Sequence, residues 1–252
     1  MRVILGAIAD DFTGATDLAS MLARAGMRTA LVLGMPRVEA AVPEAEAVVV
    51  ALKSRTAPVG EAIAETVASW RWLASAGAAH CFFKYCSTFD STPNGNIGPV
   101  AEALMAETGA AQTIYCPAMP ENGRTVYQGK LFVYDQLLSE SSMAHHPLTP
   151  MTDADLRRCL GAQLPGTQSV GLVAHSVVSA GTDAVRAALS AALERGEAHV
   201  IVDALTNSDL ETVGRAAAGM PLVTGGSGLG LGVPLTYAEA GRLAGGEADR
   251  LP

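Results

Sequence analysis

Short unbroken apolar runs alternate along this chain with longer segments of helical period. Val3 to Ala9, Thr29 to Leu33, Ala47 to Leu52, His80 to Phe83 and Thr113 to Cys116 read as five strands, and Val170 to Ala174, His199 to Val202 and Leu222 to Thr224 as three more. Between them, Thr13 to Gly26 carries Ala15, Leu18, Ala19 and Leu22 at helical spacing and ends on a glycine suited to a C-cap. Glu61 to Ala76 places Ile63, Val67, Trp70 and Ala74 on one face. Ile97 to Thr108, Asp183 to Arg195 and Asp209 to Ala218 are further helices. Strands whose apolar runs are continuous rather than alternating are buried on both sides, so the pattern predicts an α/β fold. Its sheet is mostly parallel with helices on both faces, a three-layer, Rossmann-like arrangement.

Three stretches depart from this rhythm. Arg124 to Val133 has two β-prone halves around Gln128-Gly129 and reads as an inserted β-hairpin. Ser139 to Pro150 reads as a polar loop, after which Thr152 is placed to cap a helix with acids in its first turn. Beyond the glycine-rich run Gly225 to Gly232, a short helix is expected over Leu235 to Leu243, then a linker through Gly245 to Arg250. Residues 1–232 therefore read as one domain and 233–252 as a short helix and linker.

Hydrophobic residues make up 49% of the 252 and charged residues 17%, which implies a sizeable core rather than disorder. Twenty-five acids against 17 bases leave a net charge of −8, which argues against nucleic acid or an anionic membrane as partner. Cys81, Cys86, Cys116 and Cys159 form no CxxC pair and no zinc spacing; Cys81 and Cys116 fall in strands as small buried hydrophobes. Cys86 lies in a polar loop, with no histidine set by the sequence to activate it. The apolar start is too short for a signal peptide, and no run reaches membrane-spanning length, so the reducing cytoplasm is the expected location.

The informative polar residues follow the strands. Asp10, Asp11 and Thr13 come after the first, and Lys53 and Arg55 after the third. The fourth ends in Lys84 and opens a loop carrying Ser87, Asp90, Thr92, Asn94, Gly95 and Asn96. Pro117 to Arg124 follows the fifth, and later strands end in His175-Ser176, Asp203 and Gly225-Gly226-Ser227-Gly228. In a parallel sheet these ends share one edge, where such folds bind ligands. Each segment taken singly is compatible with a solvated loop; their coincidence favours a site. Lys53, Arg55 and Lys84 suit an anionic ligand, although surface ion pairing would also account for them. Asp10 and Asp11 have the chemistry of a general base, a hydroxyl acceptor or a metal ligand. They do not match the DxDxT pattern of aspartyl-phosphate phosphatases, because Phe12 occupies the place of the second acid. The N–H groups at Thr13-Gly14 and in the Gly225 to Gly228 turn are candidates for receiving an anion or phosphate. That turn fits neither GxGxxG nor GxxxxGK[ST], so a dinucleotide site is poorly supported. His145 and His146 are adjacent and make a poor chelating pair; they read as loop residues, with entry of one of them into the site as the lesser alternative, and no metal site is expected.

GAIADDFTGATDLA at Gly6 to Ala19, ALKSRTAP at Ala51 to Pro58, FKYCSTFDSTPNGNIGPV at Phe83 to Val100, PENGRTVYQGKLFV at Pro120 to Val133, HPLTPMTD at His146 to Asp153 and VTGGSGLGLG at Val223 to Gly232 resemble the four-carbon acid sugar kinases, in particular their 3-oxo-tetronate branch. The resemblance implies ATP-dependent phosphorylation of a four-carbon sugar acid. It also implies that this chain is the acid-binding domain and that a C-terminal nucleotide-binding domain, holding ATP and Mg, is absent from it. In that setting Arg55 and Lys84 would take the carboxylate, and Asp10, Asp11, Asp90 and Asn96 the hydroxyls. Thr13, Lys53, Ser87, Thr92, Asn94, Gly95 and Arg124 would complete the acid site, with Gly225, Gly226, Ser227 and Gly228 near the phosphate. Asp10 or Asp11 would accept the proton of the attacking hydroxyl. Two other readings stand beside it: a sugar-acid-binding module without kinase activity, and a metal-dependent hydrolase built on Asp10 and Asp11. A small anionic acid is the expected partner, and a homodimer is left open.

Overall fold

The computed structural model describes residues 2–166 and 168–243. The linker expected at Gly245 to Arg250 lies outside them. Within them the chain forms β1 (Leu5–Ala9), α1 (Phe12–Arg24), β2 (Thr29–Leu33), β3 (Ala47–Ala51), α2 (Val59–Ser75), β4 (His80–Lys84), α3 (Ile97–Thr108), β5 (Thr113–Cys116), β6 (Arg124–Tyr127), β7 (Lys130–Val133), β8 (Gln136–Leu137), α4 (Leu156–Gly161), β9 (Val170–Val173), α5 (His175–Val178), α6 (Thr182–Glu194), β10 (His199–Val202), α7 (Asn207–Ala216), β11 (Leu222–Gly225) and α8 (Val233–Glu239).

Eight strands form one sheet in the order β2-β3-β1-β4-β11-β5-β10-β9, and every neighbouring pair runs parallel. Every residue of β1, β3, β5, β10 and β11 is buried, which accounts for their unbroken apolar runs. β2 lies at the sheet edge and is only partly covered. The order turns at β1. From there the chain reaches β2 and β3 on one side, then crosses to β4 on the other, and the Asp10 N–H donates to the Lys84 carbonyl at 3.0 Å. The carboxyl ends of β1 and β4 thus bound the crevice that a doubly wound sheet opens at its switch point.

α2 is rotated from its predicted face. Trp70 is buried, but the rest of the buried stripe is Ala62, Thr66, Ser69, Trp72 and Leu73, while Ala74 is exposed. Trp70, Trp72 and Leu73 fill the C-terminal half of that stripe, and Ile63 and Val67 are only partly covered at its flanks. The helix after Thr152 also starts later than its acids suggest: Asp155 is the N-cap of α4, accepting from the Arg157 and Arg158 N–H groups. Asp17 lies in the second turn of α1, past the first-turn position that its charge suggests.

The inserted hairpin is present as β6 and β7, with Gln128 and Gly129 at φ 54° and 71°, and β8 adds a third antiparallel strand that the pattern did not predict. Asp203, at the end of β10, anchors it. Its carboxylate accepts from the N–H groups of Gln128 (2.6 Å), Gly129 (2.9 Å) and His175 (2.9 Å). The start of the loop expected over Ser139 to Pro150 makes two 3₁₀ turns, Leu138–Glu140 and Ser142–His145. They carry the chain back over the carboxyl edge of the sheet.

Candidate functional site

At the β1–β4 crevice three carboxylates meet one guanidinium. Arg55 reaches Asp10 through Nε (3.0 Å) and Nη2 (3.3 Å), Asp90 through Nη1 (3.2 Å), and Asp11 through Nη2. Asp10 and Asp90 are buried, and Arg55 is itself mostly covered. Burial raises the Asp10 pKa above the ordinary aspartate value, while Arg55 and Lys84 pull it back.

Each member of this cluster is held from outside it. Asp11 is the N-cap of α1 and accepts the Gly14 N–H, so that donor, expected to be free for an anion, is already engaged. Asp90 accepts from the Thr88 hydroxyl at 2.5 Å. Asn96, read from sequence as a contact for substrate hydroxyls, turns its amide onto the backbone around Arg55. It donates to the carbonyls of Ser54 (2.7 Å), Ala57 (2.9 Å) and Arg55 (3.3 Å). The loop after β3 is thereby tied to the loop after β4. Gln163 plays a similar part from a distance, donating to the Ser91 hydroxyl and the Thr92 carbonyl and accepting the Gly98 N–H.

The other two cations are differently placed. Lys84 is 3% exposed, and among the described residues its ammonium makes neither an ion pair nor a hydrogen bond to another side chain. Burial lowers its pKa, and Asp10 opposes the shift. It lies under the first turn of α1, where a Cβ added at Gly14 would come within 1.8 Å of its Nζ. Glycine at this position is therefore required for the lysine to reach the cluster. Gly14→Ala is expected to drive Lys84 out and weaken binding of an anionic ligand at least tenfold. The melting temperature should move by only a few degrees, since the displaced atom ends a flexible chain; calorimetric titration beside thermal unfolding checks both. Lys53 is exposed, with its ammonium 5.0 Å from the centre of the Phe12 ring.

Two adjoining hollows open above the cluster. One, of about 310 Å³, is lined by Asp10, Asp11, Lys53, Arg55, Thr56, His146, Leu148 and Thr149. The other, of about 170 Å³, is lined by Arg55, Thr56, Asp90, Thr92, Asn94, Gly95, Asn96, Leu148 and Thr149, among others. The structure thus brings Asp10, Asp11, Lys53, Arg55, Asp90, Thr92, Asn94, Gly95 and Asn96 to one cleft, as their places after the strands suggested. Thr13, Lys84 and Ser87 line neither hollow. Sequence reasoning missed Leu148 and Thr149, and for His146 it gave entry into the site only as the lesser alternative to a loop residue. Nothing in their spacing signals the cleft; only the two 3₁₀ turns carry them there.

Two expectations do not fit the geometry. Arg124 lies on β6 with its guanidinium 5.8 Å from the Tyr134 ring and bonded to the Asn122 carbonyl, and it lines neither hollow. The Gly225 to Gly228 turn is buried. The Gly226 N–H donates to the Cys116 carbonyl, and Cβ atoms at Gly225, Gly226 and Gly228 would lie 2.6 Å from the carbonyl oxygens of Cys116, Pro117 and Ala118. Close packing of two backbones accounts for these glycines. Cys86 is no activated thiol: burial, with the Asp90 charge nearby, raises its pKa. The cluster does not suit a divalent cation, because Arg55 occupies the position between the carboxylates that a metal would need. Among the described residues there is no group of three or more His, Cys, Asp or Glu placed to hold one. Nor is any helix among them long and apolar enough to cross a membrane.

Residues 5–233 match the family described as the sugar-binding N-terminal domain. The 3-oxo-tetronate kinase of Pseudomonas fluorescens is 54% identical over 254 residues, covering 100% of this chain and 58% of that protein. A solved structure from Salmonella typhimurium superposes with TM-score 0.91 at 46% identity, over 95% of this chain and 57% of the other. One from Bordetella bronchiseptica, a domain-swapped dimer with bound citrate, matches with TM-score 0.76 at 29% identity, over 94% and 56%. The chain spans between half and two thirds of the length of these relatives.

Proposed function

Because the chain belongs to the family of sugar-binding N-terminal domains, we propose that it is the acid-binding part of an ATP-dependent kinase acting on a hydroxyl of a four-carbon sugar acid such as 3-oxo-tetronate. The observation that carries this reading is the pairing of cations in the cleft. Arg55 is committed to three carboxylates, while Lys53 at the hollow makes no ion pair among the described residues, and buried Lys84 beneath it feels the Asp10 charge but forms no ion pair with it. A small acid supplies the missing negative charge. This moves the carboxylate contact from Arg55, where residue type alone would put it, to the lysines. Citrate in the Bordetella bronchiseptica relative is consistent with a carboxylate ligand in this family.

Asp10 and Asp11 border the hollow in which the acid would lie. Asp10 is the better base: burial raises its proton affinity, and its backbone is fixed by the sheet. Arg55 opposes that rise and orients the carboxylate, and stabilises the charge that develops as the hydroxyl oxygen attacks. Phosphoryl transfer asks for this kind of positioning more than for covalent chemistry. ATP and Mg would be held by a C-terminal nucleotide-binding domain following the short helix and linker expected over 233–252, since neither the aspartate cluster nor the buried glycine turn suits them. Thr92, Asn94 and Gly95 are assigned to the uncharged end of the acid, and pairing with a second copy is compatible with the site.

Calorimetric titration of the chain with a panel of four-carbon sugar acids tests this. Micromolar to millimolar binding of an acid, with the corresponding alcohol failing to bind, is expected without any nucleotide. A chain that bound none of the panel, or bound acid and alcohol alike, would not be this domain.

A further inference from the structure

The segment from His146 to Thr149 reaches the cleft from the far side of the fold, and the family reading gives it no role. His146 and Thr149 line the hollow that also holds Asp10 and Asp11. The imidazole is fixed rather than free: Nδ1 lies 3.1 Å from the Thr149 backbone nitrogen and 2.9 Å from its hydroxyl. A backbone N–H can only donate, so Nδ1 is an acceptor in this arrangement, the ring is neutral, and the proton is on Nε2. Nε2 makes no hydrogen bond among the described residues. Thr149, 6% exposed, is the buried foot of the strap, while Leu148 is 71% exposed at the rim.

From this we infer that His146 is a specificity-determining residue, its Nε2–H donating to one oxygen of the bound acid, and that Thr149 is the positioning residue that sets its tautomer. The inference rests on the acid-binding reading above. The lysines take the charge and Asp10 the reacting hydroxyl, so a neutral donor in the same hollow is left to read a carbonyl or a second hydroxyl. Neutral donors discriminate by the partner group they leave unpaired when an analogue lacks its oxygen.

The test is calorimetry on the full chain and its His146→Ala, His146→Gln and Thr149→Val variants, using four-carbon acids that differ by removal of one oxygen at a time. His146→Ala is expected to lose about tenfold in affinity for the parent acid and nothing for the one analogue that lacks the contacted oxygen. His146→Gln, which keeps an N–H donor near the Nε2 position, should recover to within about threefold. Thr149→Val should show the same analogue pattern more weakly, and melting temperatures should stay within a few degrees. Equal losses for every acid, or no loss for any, would overturn the assignment while leaving the acid-binding reading in place. If the unaltered chain bound none of the acids, both would fall.

Discussion

Arg55→Met is expected to cost about 3–5 kcal/mol of stability, the range found when one partner of a buried ion pair is removed and its counter-charge remains. Here more than one charge is orphaned. Asp10 and Asp90 have side chains only 7% and 5% exposed, and both lose a direct guanidinium contact. Lys84 carries a single ammonium and cannot replace the planar fork that Arg55 offers to Asp10. The sign of the pH dependence follows from Asp10. Its folded pKa lies above the ordinary aspartate value because of burial, even with Arg55 opposing the shift. A raised carboxylate pKa favours folding when the group is protonated in both states, and that contribution is lost as pH rises from the unfolded value through the folded one. Removing Arg55 raises the folded value further. The variant should therefore regain stability on acidification more steeply than the parent, over a window that begins near the usual aspartate range and extends upward. Urea unfolding at several pH values measures this. A loss below about 1 kcal/mol with no change in pH slope would mean that Arg55 is not the hub of the cluster. Arg55→Met combined with Asp10→Asn and Asp90→Asn should recover part of the loss, since the orphaned charges go with the arginine.

The second large effect concerns turnover. In a kinase reconstituted from this chain and the C-terminal part of a full-length relative, Asp10→Asn is expected to lower kcat by about 10²- to 10⁴-fold, the range for a positioned general base. Acid affinity should change by no more than about threefold, because the carboxylate of the ligand is met by lysines. Asp11→Asn is the informative comparison. Asparagine still caps α1, so its effect on kcat should be at least tenfold smaller if Asp10 is the base. The acid limb of the pH–rate profile, set by Asp10, should vanish in Asp10→Asn and persist in Asp11→Asn. Equal losses in both variants would assign the effect to the cluster as a whole.

Most elements were legible because their signals are local. β2, α3, β5, β6, β7 and β10 span the residues that their patterns predict, since a buried strand is apolar throughout and a helix C-terminus in this chain is commonly marked by glycine. The gathering of Asp10, Arg55 and Asp90 was legible too: parallel strands put their carboxyl ends on one edge, and chain order alone assigns residues to that edge. What each residue does there was not. Arg55 reads as a contact for a ligand's carboxylate until the structure shows three aspartates already around it. Asn96 reads as a hydroxyl contact until its amide is seen on the Ser54 and Ala57 carbonyls. Arg124 follows a strand on the right edge but belongs to the hairpin.

Sequence alone determined the α/β class, the common edge and the identity of the polar groups brought to it, because periodicity and strand order are properties of neighbouring residues. The tertiary structure decided that Arg55 is ringed by three carboxylates while Lys84 is buried without an ion pair among the described residues. It also decided that the glycine turn packs rather than binds, and that His146 crosses to the cleft. Those outcomes depend on distances between residues far apart in the chain, and on a desolvation that exists only once the sheet has closed over them.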